Sequence, residues 1–164
     1  QNMFWLSVTG KVLIGKFNDA FSTFCGQPIR IVRADNSGTS YDEFPISIIS
    51  QATIDHLTRM ADGLKLFDSR RFRPTFLLSD CQPNQEDNWV SNRIRIGQQL
   101  QIKIVSRDPR CAITTLNPIT GTRDFDTLRL ILKSKPNLRT AYLGVYAIVE
   151  EPGTVVVGDE VSVI

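Results

Sequence analysis

The sequence predicts an α+β domain, mainly β, in which a barrel-like β-sheet carries two or three peripheral helices. Three observations lead there. After residue 75 the chain is a succession of short runs rich in branched and aromatic residues: TFLLS (75–79), RIRIG (93–97), LQIKIVS (100–106), CAITTL (111–116), YLGVYAIVE (142–150), TVVV (154–157) and EVSVI (160–164). Helical spacing of apolar residues is confined to three short stretches. Turn formers punctuate the runs, with Pro152-Gly153 and Gly158-Asp159 reading as hairpin turns. So many short strands in a chain of 164 residues leave few edges exposed if the sheet curls on itself.

Taken in order, Phe17, Ala20, Phe21, Phe24 and Cys25 share one face of a short helix closed by Gly26, which places Cys25 in a core. PIRIVRA (28–34) reads as a strand and 35–40 as a loop. FPISIIS (44–50) reads as a buried strand, after which Ser50 caps a helix with Ile54, Leu57 and Ala61 on its face and Gly63 at its end. Asp124 and Asp126 open a last helix, whose face is Leu128, Ile131 and Leu132 and which Pro136 stops.

Composition narrows the function classes. A hydrophobic share of 41% and a charged share of 22% belong to one globular core. No run approaches the roughly 18 apolar residues that span a bilayer, and the start lacks a signal peptide's basic region, so a soluble, cytoplasmic protein is expected. A net charge of +2 is well short of a dedicated nucleic-acid binder. The three cysteines are far apart and odd in number, which fits reduced thiols better than a disulfide framework or a zinc site. Phosphate-loop, dinucleotide-binding, zinc-protease and EF-hand patterns are absent. His56, the only histidine, points away from its helix's apolar face and leaves hydrolase triads without a base.

Two stretches carry chemistry. In DPRCAITTLNPITG (108–121), Arg107 and Arg110 precede Cys111; cations beside a thiol favour the thiolate, while the β-branched run that follows equally allows a buried strand cysteine. In SRRFRP (69–74), three arginines offer forked donors to an oxyanion, or else pair with Asp62, Asp68 or Asp80. The adjacent acids of EDNW (86–89) form a general acid/base pair only if they converge.

DEFPISIISQATIDHL (42–57), RRFRPTFLLSDC (70–81), EDNW, RIRIGQQLQIKIVSRDPRCAITTLNPITG (93–121) and LGVYAIVEEPGTVVVGDEV (143–161) together resemble the MOSC domain. This module closes molybdenum cofactor sulfurases and occurs in amidoxime-reducing molybdoenzymes. The resemblance implies a MOSC-type barrel-like fold over residues 28–164, with 1–27 as the tail of an N-terminal β region. It implies the molybdenum cofactor (molybdopterin) as ligand, with Cys111 as the reactive cysteine and metal ligand. It also implies cofactor contacts from Arg73 and Arg110, and from Asp42; strand geometry, separately from the resemblance, places the hydroxyl of Thr114 near the site. Two positions depart from the reductase members: Thr75 replaces an asparagine after FRP, and Phe44 replaces a small polar residue. Pyridoxal phosphate chemistry has no domain on this chain.

Three functions follow. The first is a cofactor-binding or sulfur-carrier domain, with Cys111 as ligand or persulfide and a cysteine desulfurase as partner. The second is a reductase of N-hydroxylated compounds fed by a separate ferredoxin- or flavin-type electron donor. The third is a non-catalytic barrel in which Arg93, Arg95, Lys103 and Arg107 bind RNA or another polyanion, a reading weakened by the lack of interleaved aromatic residues.

Overall fold

The computed structural model describes residues 2–3, 6–7, 9–35, 43–61 and 67–164, and the chain divides into two compact units, Gln1–Glu43 and Phe44–Ile164. In the first unit, β1 (Asn2–Met3) pairs antiparallel with β2 (Leu6–Ser7), and β3 (Gly10–Val12) pairs antiparallel with β4 (Val32–Ala34). Between β3 and β4 runs α1 (Lys16–Cys25), closed by left-handed Gly26. The strand expected over 28–34 starts only at Val32, because Ser22 Oγ and Asn18 Oδ1 take the amides of Ile29 and Ile31. The expected core position of Cys25 is overturned: Cys25 is exposed, as are Phe17 and Phe24, and no residue of α1 is buried. Two-stranded ribbons and a ten-residue helix offer too little surface to cover that face.

The second unit holds β5 (Ile46–Ser50), α2 (Gln51–Met60), β6 (Phe76–Leu78), β7 (Arg93–Ile96), β8 (Leu100–Pro109), α3 (Thr127–Ser134), β9 (Tyr142–Glu151) and β10 (Val161–Val163). Its six strands form one mixed sheet in the order β10-β7-β8-β9-β5-β6, antiparallel except for the β5/β6 pair. Three register shifts along the long β8/β9 ladder curl it into a half-barrel. Ile48, Ile94, Ile102, Ile104 and Val145, all fully buried, fill the concave side with Trp89. Ile49 points the other way, into a second core with Ile54, Leu57, Phe72, Ile131 and Leu143. β5 is therefore covered on both faces, which is why Ile48 and Ile49 stand side by side instead of alternating with polar residues.

Ser50 caps α2 as expected, its Oγ accepting from Thr53 N at 3.1 Å. The helix is closed at Ala61; Gly63, its expected end, lies outside the described residues. In α3 the buried face is Leu130 and Ile131, not Leu132, which is 36% exposed. Two expected strands are absent. CAITTL is a 3-10 turn over Ala112–Thr115, because Thr114 and Thr115 turn their hydroxyls onto the carbonyls of Cys111 (3.0 Å) and Ala112 (2.7 Å). TVVV is irregular, so Gly158-Asp159 joins no hairpin; Asp159 instead takes the amide of Val156 through its carboxylate at 2.9 Å.

A cleft of about 1080 Å³ opens between β6 and residues 155–161, lined by Thr75, Leu77, Cys81, Trp89 and Val161 among others. No described helix is long and apolar enough to cross a membrane.

Candidate functional site

β8 ends at Pro109, and the next two residues part company. Arg110 turns inward, its side chain 7% exposed, while Cys111 stays at the surface as a free thiol. Inside, all three guanidinium nitrogens of Arg110 are engaged. Nε donates to Leu143 O (2.7 Å), Nη1 donates to Phe72 O (2.7 Å), and Nη2 lies 2.8 Å from the carboxylate of buried Asp108. Burial pushes this guanidinium below its ordinary value, and Asp108, Tyr146, Cys111 and Glu86 oppose that push. It remains a cation, since arginine starts so far above neutrality.

Gly144 makes this packing possible. Its φ is +77°, and a Cβ there would stand 2.4 Å from Ile48 O and 3.2 Å from Arg110 Nη2.

The SRRFRP segment is tied to Arg110 through the carbonyl of Phe72. Asp68 caps a 3-10 turn over Ser69–Phe72, and the chain leaves it through Arg73 in a left-handed conformation, φ 51°. Non-glycine residues in this region carry strain that the surroundings must hold in place. The three arginines separate. Arg70 pairs with Asp68 at the surface, holding that carboxyl below its usual range. Arg71 is sealed at 2% exposure, donating to Thr114 O (3.1 Å) and Leu116 O (2.9 Å) and pairing with Asp124 (2.9 Å). Arg73 is exposed, and among the described residues its guanidinium has no acidic partner.

The two segments thus anchor each other: Arg71 binds carbonyls beyond Cys111, and Arg110 binds the carbonyl of the residue before Arg73. Sequence reasoning singled out Arg73, Arg110 and Cys111 but missed Arg71 and Asp124. No local signal separates Arg71 from its neighbours in SRRFRP, because burial there depends on contacts more than 40 residues away.

Thr114, expected to lend its hydroxyl, is 2% exposed, with that hydroxyl shared between Cys111 O (3.0 Å) and Thr127 Oγ1 (2.9 Å). It shapes the turn. Asp42 lies outside the described residues. Beyond the turn, Asn117 Oδ1 accepts the amides of Ile119 and Thr120, and Gly121 closes the loop at φ +69°. Glu86 and Asp87 do not converge: Glu86 is buried against Ser50 N and Oγ (both 3.1 Å), while Asp87 pairs with Lys135. Thr75 binds the Ser47 amide through its hydroxyl, and the ring of Phe44 packs on Tyr146 at 5.7 Å. On β7 Arg93 is neutralised by Glu150, and on β8 Arg107 faces Asp87 at 3.8 Å.

The sequence and the fold both match known proteins. The MOSC domain model matches residues 34–162. Mitochondrial amidoxime reducing component 2 of Homo sapiens is 33% identical over 137 residues, covering 77% of this chain and 39% of that protein. Mitochondrial amidoxime-reducing component 1 of Danio rerio is 32% identical over 126 residues, covering 73% and 37%. The chain therefore spans about two fifths of the length of these curated relatives. Among solved structures, the YuaD protein from Bacillus subtilis superposes with a TM-score of 0.52 at 17% identity, covering 93% of this chain and 73% of that one. YiiM from Geobacillus stearothermophilus gives 0.53 at 10% identity, covering 96% and 72%. These likenesses carry the MOSC-type barrel-like fold, and with the family match they identify the chain: it belongs to the MOSC domain family.

Proposed function

We propose that this chain is a molybdenum cofactor-binding domain, residues 28–164, in which Cys111 supplies a thiolate to the metal and Arg73 faces the cofactor's anionic part. The observation that carries this reading is the 2.7 Å bond from Arg110 Nη1 to Phe72 O. It fixes the residue before Cys111 to the residue before Arg73. A free surface thiol and an exposed guanidinium with no acidic partner among the described residues are thereby held in constant relation, and such a donor set fits a soft metal bound to an anionic organic ligand.

Each residue has a part. Cys111 binds as thiolate, the form in which cysteine ligates metals. Arg73 offers forked donors to phosphate or pterin oxygens. Arg110 acts from behind the site, keeping a buried positive charge near the thiol and both segments in place. Asp42 is a further contact by family resemblance. When bound, the cofactor would supply two-electron redox chemistry, suited to reducing an N-hydroxylated compound with two electrons and two protons and releasing its oxygen as water. The names of the relatives, amidoxime-reducing components, favour that oxidoreductase reading; in it the electrons would come from a separate ferredoxin- or flavin-type donor.

The exposure of Cys111 favours a second reading, a persulfide carrier loaded by a cysteine desulfurase. Free thiols at all three cysteines suit a reducing compartment for either role.

The test is the full chain made in cells that synthesise the cofactor, assayed for molybdenum and pterin. Bound molybdenum that disappears in Cys111→Ser supports the ligand role, and reduction of benzamidoxime with an artificial donor supports the reductase. Metal-free protein that accepts radiolabelled sulfur at Cys111 supports the carrier. If Cys111→Ser retains full molybdenum and accepts sulfur as well as the parent, both readings fail.

A further inference from the structure

The proposed function gives no role to Arg71, although its guanidinium is almost sealed from solvent and, among the described residues, its hydrogen bonds and ion pair all run to the segment 114–124. Nη1 reaches the carbonyls of Thr114 and Leu116, and both terminal nitrogens reach the Asp124 carboxylate. Asp124 is itself locked onto the returning strand of the loop. Its Oδ2 accepts from Asn117 Nδ2 at 3.0 Å, and its amide donates to Thr115 O at 3.2 Å. From Thr114 the path to the cysteine is direct, because both the amide and the hydroxyl of Thr114 donate to Cys111 O, at 3.2 and 3.0 Å.

We propose that Arg71 and Asp124 form a positioning pair that sets the Cys111 turn in its binding shape before a cofactor arrives, an inference that rests on the reading of Cys111 as a metal ligand. Burying a charged pair is expensive and is a poor way to gain stability alone. Here the pair gives what an apolar side chain of the same volume does not: one planar fork joining two carbonyls and a carboxylate. Lysine keeps the charge but not the fork. Residues that orient a metal ligand typically change metal affinity by about 10- to 100-fold when replaced.

The experiment compares Arg71→Lys and Asp124→Asn with Arg70→Lys, a surface neighbour whose partner is Asp68. Full chains from cofactor-producing cells are assayed for molybdenum per chain across a dilution series, for unfolding midpoint, and for amide exchange at Thr114 and Leu116. The expected result for Arg71→Lys is a near-parental midpoint, faster exchange at those two amides, and molybdenum affinity lowered about 10- to 100-fold, with Arg70→Lys unchanged. Parental molybdenum affinity in Arg71→Lys overturns the proposal. Should Arg71→Lys not fold, Asp124→Asn, which keeps the shape of the side chain, decides in the same way. Undiminished molybdenum in Cys111→Ser sinks the functional reading instead. The exchange rates then decide the clamp alone: unchanged rates overturn it and faster rates uphold it.

Discussion

Arg110 donates from Nη1 to the carbonyl of Phe72 at 2.7 Å, across 38 residues of sequence. The bond joins the end of β8 to the SRRFRP turn, and the same guanidinium is paired with Asp108 at 2.8 Å. Replacing Arg110 by Met breaks this buried ion pair by removing its cation. Losses of this kind run to about 3–5 kcal/mol, so the denaturant midpoint is expected to fall steeply. Double replacement of Asp108 and Arg110 by apolar residues of similar volume should recover most of the loss. A recovery that fails would show that the carbonyl bonds, not the ion pair, dominate.

Gly144 is the second point of dependence. Alanine there meets Ile48 O at 2.4 Å on a backbone of φ +77°, so Gly144→Ala is expected to destabilise by more than about 1 kcal/mol. Gly15, whose added Cβ meets nothing within 4 Å, is the contrast. Gly15→Ala should lower the thermal midpoint little or not at all.

Cys81 gives the protein a pH dependence on the alkaline side. Burial pushes its thiol above the ordinary value, with Glu86 and Asp80 adding to the rise. Its contribution to stability is whole below the unfolded thiol value, near 8.5, and is lost as pH rises through the higher folded value. Unfolding free energy should therefore decline more steeply above about pH 8.5 in the parent than in Cys81→Ala. Equal slopes would rule the thiol out as the source.

Cys25 supplies a test of the first unit. Being exposed on a helix with no buried residue, it should be alkylated in the folded protein as fast as a small thiol, and Cys25→Ser should change stability by no more than about 0.5 kcal/mol. Protection of Cys25 from alkylation would show that its face is covered.

The sheet was legible because its signal is local. β5, β7, β8 and β9 begin within two residues of the runs that predicted them, and Ser50 and Gly26 cap the helices expected of them. CAITTL failed because threonine serves two masters: its branched Cβ favours a strand, while its hydroxyl stabilises a turn when the preceding carbonyls are in reach. α1 shows a different limit. Periodicity correctly drew its apolar face but says nothing about whether anything lies against it. Cys111 and Arg73 could be named from motif resemblance, and the surface exposure of both is a finding of the fold. Arg71 and Asp124 could not, since a buried arginine and a surface one look alike until distant carbonyls are brought to them.

The mutual anchoring of the SRRFRP and Cys111 turns also fixes an order of events. Arg71 has no carbonyls to grip until residues 114–116 are coiled, and Arg110 has no Phe72 to hold until the other turn has docked. Neither can mature first as an independent piece. The two turns are therefore expected to set together, so during refolding the thiol's final surroundings should appear as one concerted step rather than as the sum of two.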